Sequence, residues 1–314
     1  MKISVIICTH NPRLSYLRRV IGALQLQTLS TTEWELLIID NASNRPIRQE
    51  INLDWHPSGR YIREEKVGLT HARLRGMSDS SGDLLVFVDD DNVLKLDYLG
   101  KALEIAQLHP MLGAWSGQVL PEFEATPPEE LQHFLGVLCI RKLEQDLWGN
   151  QPAAWAHLPS GAGMCVRREV ANRYRKDVSN NPVRLSLGHA GDQISCHDDT
   201  DLAITSIDMG LGTGLFRDLT LTHLIPERRL KESYLLKLVE NSAEAFVVLR
   251  RVRGLRVEDE LKGVKRWVER LEYLRATPAQ KKVADARMRG EKKGRALTAD
   301  LPKPQPPMQP ACPI

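Results

Sequence analysis

The sequence has no apolar run approaching the ~18–20 residues that a membrane-spanning helix requires, so no span is expected. Its opening, MKISVIICTHNP, is short, apolar and closed by a turn, and reads as a first strand rather than a signal peptide. Cysteine is scarce. Cys8, Cys139, Cys165, Cys196 and Cys312 form no CxxC pair and no zinc-like spacing, and their odd number argues against a complete disulfide framework. A reducing cytoplasm is the expected setting, with peripheral contact at the inner face of a membrane left open. Strong net charge is missing as well. Of 43 Lys/Arg and 40 Asp/Glu, eight basic and only two acidic residues fall between Arg275 and Arg295, which leaves the rest of the chain slightly acidic. That distribution gives no electrostatic footprint for nucleic acid. Internal repeats are absent. The early segment THNPRLSYLRR holds no glycine, which disfavours a nucleotidyltransferase-type phosphate loop.

What is present is alternation. Ile3 to Cys8 is a β-branched run, followed by a turn and an apolar periodicity at Leu14, Leu17, Val20, Ile21 and Leu24. That reads as strand, loop, helix. Trp34 to Ile39 predicts a second buried strand, Tyr61-Ile62 a weaker third, Gly68 to Met77 a helix, Leu84 to Val88 a fourth strand and Leu96 to Leu108 another helix. Continuous apolar strands alternating with helices predict an α/β fold whose mainly parallel sheet is covered on both faces. Ligands in such sheets bind at the carboxyl ends of strands. Thr9, Asp40 and the run Asp89-Asp90-Asp91 fall at those ends.

Beyond Ala114 the segment WSGQVLPEFEATPPEE reads as a loop, Glu129 to Leu147 as a helix, and Ser160 to Val166 as a glycine-rich turn entering a strand. Asp198 to Met209 predicts a helix opened by acids, and Leu219 to Ile225 a strand that includes His223. Arg228 to Arg251 and Glu258 to Arg275 predict two basic amphipathic helices. The rest, from Thr277, is Lys/Arg/Ala-rich and then Pro-rich, and is expected to be disordered. The expected division is 1–230 (halves 1–114 and 115–230), helices over 231–276 and a tail over 277–314.

Three adjacent carboxylates after an apolar strand usually mean a solvated loop with one Asp capping the next helix. Here they lie where an α/β sheet opens its cleft. Residues i and i+2 of an extended segment point the same way, so Asp89 and Asp91 can share a face and suit a hard divalent cation such as Mg²⁺ or Mn²⁺. Asp40 alone could cap a turn, and Asp201 could serve the helix dipole as readily as chemistry. His223 could be a hydrogen-bonded structural histidine, and Arg73 could pair with Asp79 or Asp83 on the surface.

In order along the chain, ISVIICTHNP, LLIIDNAS, GLTHARLRG, VFVDDD, GAGMCVRRE and HDDTDLAI resemble the motifs of the family 2 inverting glycosyltransferases. The resemblance runs from about Ile3 to Leu230. It implies a GT-A fold, a Rossmann-like α/β arrangement with a mixed, mainly parallel sheet flanked by helices. To this the sequence adds C-terminal helices and a disordered tail.

By position, the resemblance implies that Thr9 and Asp40, with Asn41 and Ser43 beside them, hold the uracil and ribose of a UDP-sugar, and that Arg73 approaches the base or diphosphate. It makes Asp91 the direct metal ligand, with Asp89 toward ribose or metal, Asp90 between them and His223 completing the metal or diphosphate site. Asp199 becomes the general base, with Asp198 in the place usually filled by Glu, and Gly161 and Gly163 border sugar and acceptor. The implied activity is metal-dependent transfer, with Mn²⁺ or Mg²⁺, from a nucleotide-sugar donor to a glycan or lipid-linked acceptor in cell-surface polysaccharide or glycan synthesis. The alternative is a non-catalytic nucleotide-sugar or carbohydrate-binding protein of the same fold. The helix LKGVKRWVERLEYL is expected to pack on the catalytic domain or, alternatively, to dock on an anionic membrane surface.

Overall fold

In the computed structural model, which describes residues 1–151, 155–189, 197–255 and 272–301, strand and helix alternate over the first hundred residues as the apolar pattern predicts. β1 (Ile3–Thr9), α1 (Leu14–Gln25), β2 (Trp34–Asn41), β3 (Gly59–Glu64), α2 (Leu69–Asp79), β4 (Leu84–Asp89), β5 (Asn92–Leu94) and α3 (Tyr98–Leu108) follow one another. Then come β6 (Leu112–Phe123), β7 (Leu147–Gly149), β8 (Cys165–Arg167), α4 (Arg168–Val178), the short α5 (Pro182–Leu185), α6 (Asp198–Asp208) and β9 (Gly212–Ile225). Two further helices, α7 (Glu232–Val252) and α8 (Pro278–Leu297), close the described chain.

The strands form one nine-stranded sheet in the order β3-β2-β1-β4-β8-β6-β9-β5, with β7 paired to β9. β1 is parallel to β2 and β4, β2 to β3, and β6 to β9, while β8, β5 and β7 run antiparallel to their neighbours. Successive residues of the central strands enter opposite cores. Ile3, Val5 and Ile7 join Leu36, Ile38, Leu84 and Val86 on one face with Leu17 and Leu24 of α1 and Leu99 of α3. Ile6, Leu37, Ile39, Leu85 and Phe87 lie on the other face with Met77 of α2, Tyr174 of α4, Ile204 of α6 and Val248 of α7. The period of two with apolar residues at both phases is what a sheet covered on both sides demands.

Three expectations are corrected. The segment beginning WSGQVLPEF is not a loop but the twelve-residue β6. Gly117 sits at a register shift where Leu219 presses so close that a methyl group there would overlap the Leu219 carbonyl, a common use of glycine in a strand. The helix predicted over 129–147 is a 3₁₀ segment, Glu129–Leu138. Cys139 stops it at φ 58°, and Arg141 then exchanges two backbone hydrogen bonds with Val119 of β6.

Residues 278–297, expected to be disordered, form α8. Thr277 and Gln280 make a reciprocal capping box with Pro278 at the first helical position. Ala286, Gly290 and Gly294 recur every four residues and are buried, so α8 runs alongside α7 in the same direction at backbone distance. Lys282 pairs with Glu232, and Arg289 and Lys293 with Glu240. The predicted helix Glu258 to Arg275 lies largely outside the described residues, as does the Pro-rich end of the tail. No helix among the described residues is long and apolar enough to cross a membrane.

Candidate active site

The strand register sets the first row of the site. Thr9 at the end of β1 is level with Asp40 of β2, and Cys8 with Asp89 of β4, so these residues share the carboxyl edge of the sheet. Asp40 is buried and accepts from Ser43 N (3.1 Å), Ile47 N (3.3 Å) and Arg63 Nη1 (3.0 Å). Burial presses its pKa upward, but Ser43 and Arg63 more than offset this and hold it below the ordinary carboxylate value. Asn41 donates to the carbonyls of Glu64 (3.3 Å) and Lys66 (2.7 Å) and accepts from Gly68 N (2.8 Å). Its amide is thus engaged in pinning the entry of α2. Beside this edge lies a cavity of about 380 Å³ lined by Asn11, Pro12, Leu14, Asn44, Arg45, Ile47 and Glu50.

The acids after β4 diverge. Thr9 Oγ1 donates to Asp90 Oδ2. Burial, followed by the charge of Asp91, raises the Asp90 pKa to about 7. Asp89 faces Arg73, with 3.9 Å between Oδ1 and Nη2, and burial pushes its pKa up against the pull of that cation. Asp91 turns toward the far side of the cleft. β5 begins one residue later and pairs antiparallel with β9, Asn92 opposite His223, and Leu224 N donates to the Asp91 carbonyl (2.8 Å). This short ladder carries His223 Nε2 to 3.5 Å from Asp91 Oδ2. Arg229 stands with them, its Nη1 3.0 Å from Asp91 Oδ2 and 3.1 Å from His223 Nε2. Burial works against the Asp91 anion, and His223 and Arg229 overcome it, so its pKa lies below the ordinary value.

The second row comes from β8 and α6. Because β8 is antiparallel to β4, the glycine-rich turn before it lies over the carboxyl end of β4. Gly163 has φ 67°, and its carbonyl accepts from the buried Tyr98 hydroxyl (2.7 Å). Gly161 N donates to Asp199 Oδ2 (2.6 Å), while Asp199 Oδ1 accepts from Thr200 N (2.6 Å). Arg73, on the buried face of α2 rather than at the surface with Asp79 or Asp83, donates to Asp198 Oδ2 (2.5 Å). Asp198 is 4 % exposed. Burial raises its pKa to about 6 against the opposing charge of Arg73. Asp201 is removed from chemistry: fully buried, it accepts from Arg184 Nε (2.8 Å) and Arg253 Nε (2.5 Å), which tie α6 to α5 and to the end of α7.

The expected metal set is only partly assembled. Asp91 and His223 meet, but Asp89 faces Arg73, and no three His, Cys, Asp or Glu side chains among the described residues are grouped to hold an ion. The pair still fits a hard divalent cation that takes its other ligands from a diphosphate, as Mg²⁺ and Mn²⁺ do. When His223 is neutral with its proton on Nδ1, Nε2 accepts from Arg229, which can only donate, and offers the lone pair that a metal would use. Nδ1 is buried without a partner among the described residues. Arg229 itself was not anticipated, and the only available signal was the Arg-Arg pair shortly after the histidine strand, in HLIPERRL.

Comparison with known proteins bears on the family and the fold. A glucosyl-dolichyl phosphate glucuronosyltransferase of Haloferax volcanii is 24% identical over 130 residues, 41% of this chain and 42% of that one. The glycosyltransferase GlyA of Streptococcus pneumoniae serotype 4 is 30% identical over 101 residues, 31% of this chain and 14% of that one. The matches therefore span less than half of either relative. Among solved structures, the mannosyltransferase PcManGT from Pyrobaculum calidifontis, in complex with GDP-Man and Mn²⁺, shares the fold. Its TM-score is 0.54 at 17% identity, over 95% of this chain and 74% of that one. Residues 4–175, more than half of the sequence, match Glycosyl transferase family 2, and the chain belongs to that family.

Proposed function

We propose that the protein is a metal-dependent, inverting glycosyltransferase that moves a sugar from a nucleoside diphosphate, UDP by preference, to an acceptor hydroxyl. The observation that carries this reading is the meeting of two separate carboxylate groups at one sheet edge: Asp89 to Asp91 after β4, and Asp198-Asp199 at the start of α6. Arg73 bridges them. Inverting transfer needs just such a separation, with one group handling the diphosphate and another the acceptor proton.

In this reading Asp199 takes the proton of the attacking hydroxyl. Gly161 N and Thr200 N each hold one of its oxygens, which fixes the carboxylate plane and leaves lone pairs for the acceptor. Thr9, Asp40, Asn41 and Asp90 form the nucleoside side. Arg73 and Asp198 support the donor from beneath, and Gly161 and Gly163 keep backbone rather than side chains against the sugar. Asp91 and His223 would hold the divalent cation, which supplies neutralisation of the departing diphosphate when bound. The Mn²⁺ in the mannosyltransferase complex supports that role, while its GDP-Man makes the base a matter for direct measurement. The Haloferax volcanii relative is named for a lipid-linked sugar, which favours a lipid-linked or glycan acceptor.

A thermal-shift screen of UDP-, GDP- and dTDP-sugars with and without Mn²⁺, followed by nucleotide-release assays, tests the reading. A UDP-sugar is expected to stabilise the wild-type protein in a Mn²⁺-dependent way and to release UDP slowly. Asp199→Asn is expected to keep the stabilisation and lose turnover by a factor of at least ~10². Stabilisation without turnover in the wild type would favour a binding protein, and an active Asp199→Asn variant would remove Asp199 from the role of base.

A further inference from the structure

We propose that Arg229 is the resident counter-cation of the Asp91–His223 pair and competes with the divalent cation for it, so that ion entry requires its guanidinium to leave. The proposal rests on Asp91 and His223 being metal ligands. One nitrogen, Arg229 Nη1, touches both groups, 3.0 Å from Asp91 Oδ2 and 3.1 Å from His223 Nε2. Those two atoms carry the lone pairs that a cation bound by the pair would use, so guanidinium and ion claim the same two acceptors. The overlap is built into the fold. β5 and β9 fix Asn92 opposite His223, and the 3₁₀ turn Glu227–Leu230, closed by Arg229 N donating to the Pro226 carbonyl (2.9 Å), delivers the arginine six residues after the histidine.

The way Arg229 is held also fits a displaceable occupant. A guanidinium binds a carboxylate most strongly through two parallel N–H donors. Here Asp91 receives one, and its other oxygen accepts from Asn92 Nδ2 (2.9 Å). Arg229 Nε is buried without an acceptor among the described residues, a cost that rearrangement would relieve. The Arg229 side chain is 26% exposed against 12% for Asp91 and 9% for His223, so it is the member of the trio with a way out. Without an ion, Arg229 balances a buried carboxylate beside two other acids. With an ion, the same arginine is freed toward the cleft, where the donor's diphosphate is proposed to lie.

An ion that binds only the arginine-free arrangement has its apparent affinity reduced by the fraction of protein in that arrangement. Removing the competitor therefore tightens ion binding. Mn²⁺ binding to the full chain, without donor, is measured by electron paramagnetic resonance of the free ion for wild type, Arg229→Met, Arg229→Lys and Asp91→Asn. Arg229→Met is expected to bind Mn²⁺ on the order of tenfold more tightly than wild type, while Arg229→Lys, which keeps the competing charge, stays near wild type. Arg229→Gln repeats the test if the methionine variant does not fold. Unchanged or weaker binding in both neutral variants would overturn the proposal and make Arg229 a structural or ion-assisting residue. If Asp91→Asn leaves Mn²⁺ binding intact, the metal-ligand assignment itself fails, which is a separate and recognisable result.

Discussion

Replacing Arg73 with methionine keeps most of the volume and removes one buried positive charge from among three acids. Arg73 Nη1 lies 2.5 Å from Asp198, Nη2 lies 3.9 Å from Asp89, and the guanidinium sits 5.9 Å from the Phe87 ring centre. The consequence depends on pH, and its sign follows from Asp198. Burial raises that carboxyl from 3.8 to about 6, with Arg73 opposing, so between those pH values the folded protein holds a proton that the unfolded chain has released. A group raised on folding contributes stability at low pH, and the contribution is lost as pH rises toward the folded value. Without Arg73 the folded value climbs further, and the loss continues above pH 6. Each unit by which the folded value rises enlarges the variant's deficit at pH ~8 relative to pH ~5 by about 1.4 kcal/mol. Packing loss is nearly independent of pH and cancels in that difference. Urea denaturation of wild type and Arg73→Met at the two pH values measures it. Equal deficits at both would show that Arg73 does not set the charge of this cluster.

Two glycine substitutions test the geometry in other ways. A methyl group on Gly161 would overlap Arg73 Nη2 and lie 3.3 Å from Asp199 Cβ; Gly161→Ala is expected to lower kcat by about 10²-fold by misplacing both groups while the protein stays folded, and an unchanged kcat would contradict the proposed roles. A side chain on Gly290 would overlap the Glu240 carbonyl of α7; Gly290→Leu is expected to cost ~1–3 kcal/mol and to speed hydrogen exchange in α8, and unaltered exchange there would contradict the close helix contact.

The legible parts of the fold were those in which local pattern and tertiary environment agree. ISVIIC, WELLII and LLVFV are apolar at both phases of a strand, and only a sheet buried on both faces can use them. The errors came where one residue type serves two structural ends. In WSGQVLPEF, read as a loop, Gly117 belongs to a strand and leaves room for Leu219 to press against it. Glycine at 290 and 294 lowers helix propensity, and small side chains at 286, 290 and 294 remove the large apolar residues that mark a packed face, so α8 resembles a tail in sequence. Its stability comes from contact with α7, which local pattern does not contain.

The site illustrates the same limit at finer grain. The acids of HDDTDLAI open α6 beside the glycine-rich turn. The motif did not distinguish their functions, because those are assigned by what faces each acid from elsewhere. Asp198 meets Arg73 from α2, Asp199 meets the Gly161 amide, and Asp201 is enclosed by Arg184 and Arg253. Three carboxylates within four residues thus become a pH-sensitive ion-pair partner, a candidate base and a structural tie. The aspartates after β4 divide likewise among Arg73, Thr9 and Arg229. Spacing along a chain can bring acids to a sheet edge, but their protonation depends first on burial and then on charges that include cations more than a hundred residues away: Arg73 lies 125 residues from Asp198, and Arg229 138 residues from Asp91. The arginines therefore carry information that the acidic motifs lack, and substitutions at Arg73 and Arg229 complement those at Asp91 and Asp199 in distinguishing the proposed roles.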